Sequence, residues 1–111
     1  MAQEKQFENK VKNFLKEQGA YFVKFFANNY TKKGVPDILA CVGGYFVGIE
    51  VKAENGHPSE LQLYNIKQIR EAGGFAFVLY PSGYDDFVAF IKNLKQGYFN
   101  ENIPIILKQE G

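Results

Sequence analysis

The sequence predicts an α/β fold, a mixed β-sheet with helices on its faces. Three observations lead there. Apolar residues recur at helical spacing near the start of the chain and again over 84–96. Two apolar runs flank Gly43-Gly44, a pair of residues suited to a tight hairpin. A capped helical stretch then leads into a short, continuously apolar run, the pattern of a strand buried inside a sheet. The length of 111 residues suits one domain spanning 1–111 with one core.

The elements follow in order. Residues 3–18 are the first helix: Phe7, Val11, Phe14 and Leu15 share a face, and Gly19 stops it. Residues 21–27, rich in aromatics, read as a strand. Asn28 to Gly34 is a polar loop ending in glycine. Asp37 to Val42 and Tyr45 to Ala53 form the arms of the hairpin, because the primed turns need the positive φ that Gly43 and Gly44 allow. Glu54 to Pro58 is a loop. Ser59 suits the N-cap of a helix reaching about Ala72, and Gly73-Gly74 ends it. Phe75 to Tyr80 is a strand and Pro81 to Gly83 a turn. Residues 84–96 are a last helix with Phe87, Phe90, Ile91 and Leu94 on one face. Pro104 to Leu107 is a short edge strand or a docking tail. The order is α-β-β-β-α-β-α, with the hairpin leading into a β-α-β crossover.

Composition narrows the function. Apolar residues make up 46% and charged residues 23%, as in ordinary soluble globular proteins. No apolar run approaches the roughly 20 residues that span a bilayer. The N-terminus lacks a secretory segment, so a cytoplasmic setting in a prokaryotic or phage-infected cell, without membrane partners, is expected. Cys41 is the one cysteine and His57 the one histidine, which argues against disulfides and Cys/His zinc sites. Cys41 lies in the apolar run from Ile38 to Val42, where a buried structural thiol is expected. A net charge of +1 gives no global sign of nucleic-acid binding. Lysines do gather locally, at Lys5, Lys10, Lys12 and Lys16, then Lys24, Lys32 and Lys33.

The hairpin register carries the chemistry. With Gly43 and Gly44 as loop residues, Val42 faces Tyr45, and five further steps bring Asp37 opposite Glu50. Facing carboxylates destabilise a sheet, and a divalent cation between them removes that penalty. Hard carboxylate oxygens suit Mg²⁺ or Mn²⁺. Alternation along Glu50-Val51-Lys52 puts Lys52 on the face of Glu50. Its ammonium then lies within reach of a metal-bound water or a phosphate.

Gly34-Val35-Pro36-Asp37, then Glu50-Val51-Lys52, then Gln62 in the following helix resemble the PD-(D/E)xK nuclease superfamily. The nearest likeness is to the virus-type replication-repair nuclease domain in its stand-alone phage and bacterial form, and a more distant one is to archaeal Holliday-junction resolvases. The resemblance runs from about Glu8 to Leu79 and implies a restriction-endonuclease-like fold. It further implies a Mg²⁺- or Mn²⁺-dependent endonuclease that hydrolyses DNA phosphodiester bonds, selective for Holliday junctions or other branched DNA. By the same resemblance Asp37, Glu50, Glu8 and the Val51 carbonyl hold the metal, and Lys52 acts on the attacking water.

Glu8 borders the apolar face of Val11 and Leu15, so it is able to point toward the sheet, with Glu4 as the weaker alternative. Gln62 joins the catalytic set, although Ser59-Glu60-Leu61-Gln62 is also a capping box, and the two roles are compatible. Tyr30, Lys32 and Lys33 in the polar loop, with His57 and Ser59 before the middle helix, are the expected DNA contacts. Stand-alone relatives pair as homodimers, and the aromatic last helix with the tail Ile103 to Leu107 offers a surface for pairing. The competing readings are a non-specific or nicking endonuclease, a restriction-type subunit, and a non-catalytic nucleic-acid-binding module.

Overall fold

The hairpin at Gly43-Gly44 organises the sheet. In a computed structural model, which describes residues 2–98 and 102–109, both glycines have positive φ, +58° and +90°. They join β2 (Ile38–Val42) to β3 (Tyr45–Val51) in an antiparallel pair whose register runs from Val42 opposite Tyr45 to Ile38 opposite Ile49. The next step of that register sets Asp37 beside Glu50. On one side β2 pairs antiparallel with β1 (Tyr21–Lys24). On the other, β3 pairs in parallel with β4 (Phe75–Leu79), the two being linked through helix α2 (Glu60–Glu71). A short β5 (Ile106–Leu107) adds in parallel to β4, completing a five-stranded mixed sheet in the order β1-β2-β3-β4-β5.

Two helices cover one face. α1 (Ala2–Glu17) contributes Phe7, Val11, Phe14 and Leu15, while α3 (Tyr84–Lys95) contributes Phe87, Phe90, Ile91 and Leu94. Against them lie Ile38, Ala40, Val42, Val47, Ile49, Val51, Phe77 and Leu79, the inward positions of alternating strands. Phe77 packs edge-on against Phe87 and Phe90, at 6.1 and 5.7 Å between ring centroids. On the opposite face α2 lies over β3 and β4, with Ile66 buried against Ala76, Val78 and Tyr80. Among the described residues no helix is long and apolar enough to cross a membrane.

The element order matches the one the sequence predicts, with β5 added at the end. There are local differences, among them that β2 starts at Ile38, not Asp37, and β3 ends at Val51, not Ala53. The first strand ends at Lys24 instead of residue 27. Phe25 still donates its N–H to the Asp37 carbonyl at 2.7 Å, one step beyond the last residue of the strand. Pro81–Gly83 is a 3-10 turn. Cys41 is exposed, not buried, because alternation places it opposite the buried face of Ala40 and Val42, on the side where α2 covers only β3 and β4. The last helix and the tail are not a free pairing surface. Phe87, Phe90, Ile91, Leu94, Ile103 and Leu107 are all buried within the chain's own core.

Candidate active site

The rim of the sheet, where β1 ends and β2 begins, gathers side chains from α1, β1, β3 and α2 around Asp37, which immediately precedes β2. The two carboxylate oxygens of Asp37 are separately engaged. Oδ2 accepts the Val51 N–H at 2.9 Å, and Oδ1 accepts the Lys24 ammonium at 3.4 Å. The segment leading to Asp37 is held by α2. Asn65 Nδ2 donates to the Lys33 carbonyl at 3.0 Å and to the Leu61 carbonyl at 2.9 Å. Gly34 passes this contact with φ +82°, and a Cβ there would stand 2.7 Å from both Asn65 Nδ2 and the Leu61 carbonyl oxygen. Positive φ and the close approach together demand glycine.

Glu50 is buried, at 2% exposure, on the face that α2 covers. Its Oε2 accepts the Gln62 side-chain amide at 3.0 Å and lies 3.5 Å from Lys52 Nζ. Oε1 is buried and accepts no hydrogen bond. Burial first, and then the neighbouring charge of Asp37, push the Glu50 pKa up to about 8, against a smaller opposing pull from Lys52. Gln62 closes the capping box and also reaches Glu50. Its Oε1 accepts the Ser59 N–H at 2.8 Å and its own N–H bonds Ser59 Oγ at 3.1 Å, closing a capping box, while its amide holds Glu50.

Glu8 faces inward from α1 at 6% exposure. Its Oε1 accepts Lys24 Nζ at 2.9 Å. Oε2 makes no hydrogen bond, although Lys12 Nζ stands 3.3 Å away as an ion pair. Burial works to raise the Glu8 pKa, but Lys24 and Lys12 together outweigh it and hold it below the usual carboxylate range. Burial likewise works to lower Lys24, and Glu8 and Asp37 outweigh it, so the ammonium is held more firmly than usual. Glu4 stays apart from this cluster and accepts the Ala53 N–H at 3.3 Å.

Among the described residues no three Asp, Glu, His or Cys side chains form a ready-made cage for a metal ion. Asp37 and Glu50 adjoin each other, and Glu8 joins Asp37 only through the Lys24 ammonium. The donor set nonetheless fits a hard divalent cation. All three acids offer carboxylate oxygens, and a buried oxygen such as Glu50 Oε1 is costly to leave unpaired.

The model of the archaeal Holliday junction resolvases matches residues 2–83. The chain belongs to that family. Its members are nucleases of the PD-(D/E)xK type that act on Holliday junctions, so the resolvase match brings DNA binding and phosphodiester hydrolysis with it. The matched family is thus the one that the motif resembles more distantly, and the match does not name the virus-type nuclease. The resolvase span includes every residue from Glu8 to Gln62 and stops before α3 and β5. Among curated proteins none matches the chain significantly.

The expected DNA-contact residues lie outside the acid cluster. Tyr30 is 97% exposed, and Lys32, Lys33, His57 and Ser59 are exposed as well. The loop that holds Tyr30 has defined geometry: the Asn28 side chain accepts the Tyr30 N–H at 2.7 Å and Thr31 Oγ1 accepts the Asn28 N–H at 2.9 Å. Lys24 is the member of the cluster that the motif does not single out. A signal was present, because alternation in Tyr21-Phe22-Val23-Lys24 puts the ammonium on the covered side with Phe22, where it needs an acid partner.

Proposed function

We propose that the protein is a Mg²⁺- or Mn²⁺-dependent endodeoxyribonuclease that cuts branched DNA, four-way junctions foremost, and that its 111 residues act as one nuclease domain. The observation that carries this reading is the convergence of Asp37, Glu50 and Lys52, with one buried Glu50 oxygen that accepts no hydrogen bond. Family membership supports the substrate. Asp37, Glu50, Glu8 and the Val51 carbonyl would hold the ion. When bound, the ion supplies Lewis-acid stabilisation of charge on the phosphate and lowers the pKa of a water.

The remaining chemistry belongs to side chains. Water adds to phosphorus as the bond to the leaving sugar oxygen breaks. Lys52, beside Glu50, orients that water or donates to a phosphate oxygen. Gln62 fixes the orientation of Glu50 through its amide. Tyr30 offers an exposed ring for stacking, while Lys32, Lys33, His57 and Ser59 offer donors to the backbone phosphates. A four-way junction needs two incisions and one chain has one such cluster, which supports a homodimer as the working unit.

The test is cleavage of four-way junction, flap, duplex and single-stranded DNA with Mg²⁺, Mn²⁺ or EDTA. The expected result is ion-dependent cutting that favours the junction. Asp37→Ala and Lys52→Ala should each lose about 100-fold or more. Cleavage that survives both substitutions would overturn the assignment, and equal cutting of all substrates would leave a non-specific nuclease.

A further inference from the structure

Three carboxylates meet three ammonium groups at the rim. Glu8, Asp37 and Glu50 stand against Lys12, Lys24 and Lys52, so the ammonium groups at least balance the carboxylates. A divalent ion arriving at a cluster without net negative charge gains little Coulomb energy unless one ammonium leaves the carboxylates. The three lysines are not equivalent. Among the described residues Lys12 pairs with Glu8 alone, one helical turn away, and Lys52 with Glu50 alone. Lys24 alone among these three bridges two acids from different elements, at 2.9 Å to Glu8 on α1 and 3.4 Å to Asp37 before β2. Its side chain is 21% exposed and its Nζ lies 5.8 Å from the centre of the Phe26 ring, so it has an outward path over an exposed aromatic face.

We propose that Lys24 is a resident cation that occupies the place between Glu8 and Asp37, competes with the divalent ion, and releases both carboxylates as that ion loads. The inference rests on the metal-dependent reading above. In the ion-free protein Lys24 acts as a positioning residue, since it ties α1 to the start of β2 and keeps two acids together that would otherwise repel. An ammonium has three donors and a single charge, whereas a divalent ion draws carboxylate oxygens to roughly 2.0–2.6 Å. The two occupants are therefore alternatives at the same acids.

The experiment is calorimetric titration of Mn²⁺ into the DNA-free protein, with thermal unfolding in EDTA and in saturating Mn²⁺. Lys24→Met keeps the apolar stem and removes the charge. It should bind Mn²⁺ at least about tenfold more tightly, melt lower than wild type in EDTA, and recover most of that deficit in Mn²⁺. Lys12→Met removes an equal charge from Glu8 alone and should tighten binding by less than about threefold. Lys24→Arg keeps the charge between the acids and should bind no more tightly than wild type, which preserves a readout should Lys24→Met fail to fold.

Mn²⁺ binding by Lys24→Met that is unchanged or weaker would overturn the proposal, as would tighter binding by Lys24→Arg. Asp37→Asn separates the two readings. Undiminished Mn²⁺ binding by that variant removes the metal site itself. Lost binding there, with no gain in Lys24→Met, removes only the role given to Lys24.

Discussion

Glu50 shows how one buried side chain links stability to the ion. In the unfolded chain its carboxyl ionises near 4.5, and in the folded protein near 8. Between those values the folded form keeps a proton that the unfolded form has released. The favourable difference is complete below pH 4.5, declines as pH rises, and is gone above about 8. Each pH unit across that window costs up to about 1.4 kcal/mol. The ion-free protein should therefore lose stability from pH 5 to pH 8. Glu50→Gln, which stays neutral and keeps an acceptor for the Gln62 amide, should flatten that slope and melt higher than wild type at pH 8. Urea unfolding in EDTA at three pH values measures it, and equal slopes for the two proteins would contradict the burial argument. The pairing of Asp37 with Glu50 was legible at this scale because the two-residue turn fixes every later step. For Lys24 alternation signals only the need for an acid partner, and that the partner is Glu8, 16 residues away on a helix, nothing local announces.

Among the elements, α2 does two jobs with one terminus. Ser59 and Gln62 satisfy each other's backbone groups, and the Gln62 amide that remains turns to Glu50. Ser-x-x-Gln is a local pattern, so the helix start was readable from sequence, whereas the reach to Glu50 depends on how α2 crosses β3 and came only from the family resemblance. The first strand was misjudged for a related reason. Its aromatic run looks uniform, and nothing within residues 21–27 marks that pairing with β2 ends at Lys24. Substitution separates the two jobs of α2. Ser59→Ala removes the cap together with one donor to the DNA backbone, so it should cost about 1 kcal/mol in stability and slow cleavage less than the loss of Gln62 does. Gln62→Met removes the cap partner and the Glu50 contact, so it should show a similar stability loss together with at least about tenfold slower cleavage. Thermal unfolding and junction cleavage on the two proteins measure this. Equal effects on cleavage would mean that Gln62 acts only through the helix.

For the whole molecule, the proposed homodimer raises the question of which surface would bring two copies together. The last helix and tail are spent on the core, since Phe75, Phe77 and Leu79 need a cover that α3 provides and β5 seals the edge of β4. One stretch of exposed apolar surface is on the other side of the sheet. Tyr21 pairs with Cys41 and Cys41 with Phe46 across β1, β2 and β3, so the three share that side. Tyr21 is 74% exposed and Phe46 45%. Leu61 and Tyr64 on α2 are exposed as well. A standard interface takes about 800 Å² from each partner, roughly an eighth of this chain's 6871 Å². The uncovered half of the sheet face with the adjoining flank of α2 is the apolar region suited to supply it. A second copy seated there about a two-fold axis buries Tyr21 and Tyr64 without disturbing the rim where Asp37 and Glu50 lie. Tyr21→Glu with Tyr64→Glu places charges at that contact. The wild type should elute as a dimer by light scattering, and the double variant as a folded monomer that still binds Mn²⁺. A wild-type monomer at working concentration would end the homodimer reading, and a dimer that survives both glutamates would move the contact elsewhere on the surface.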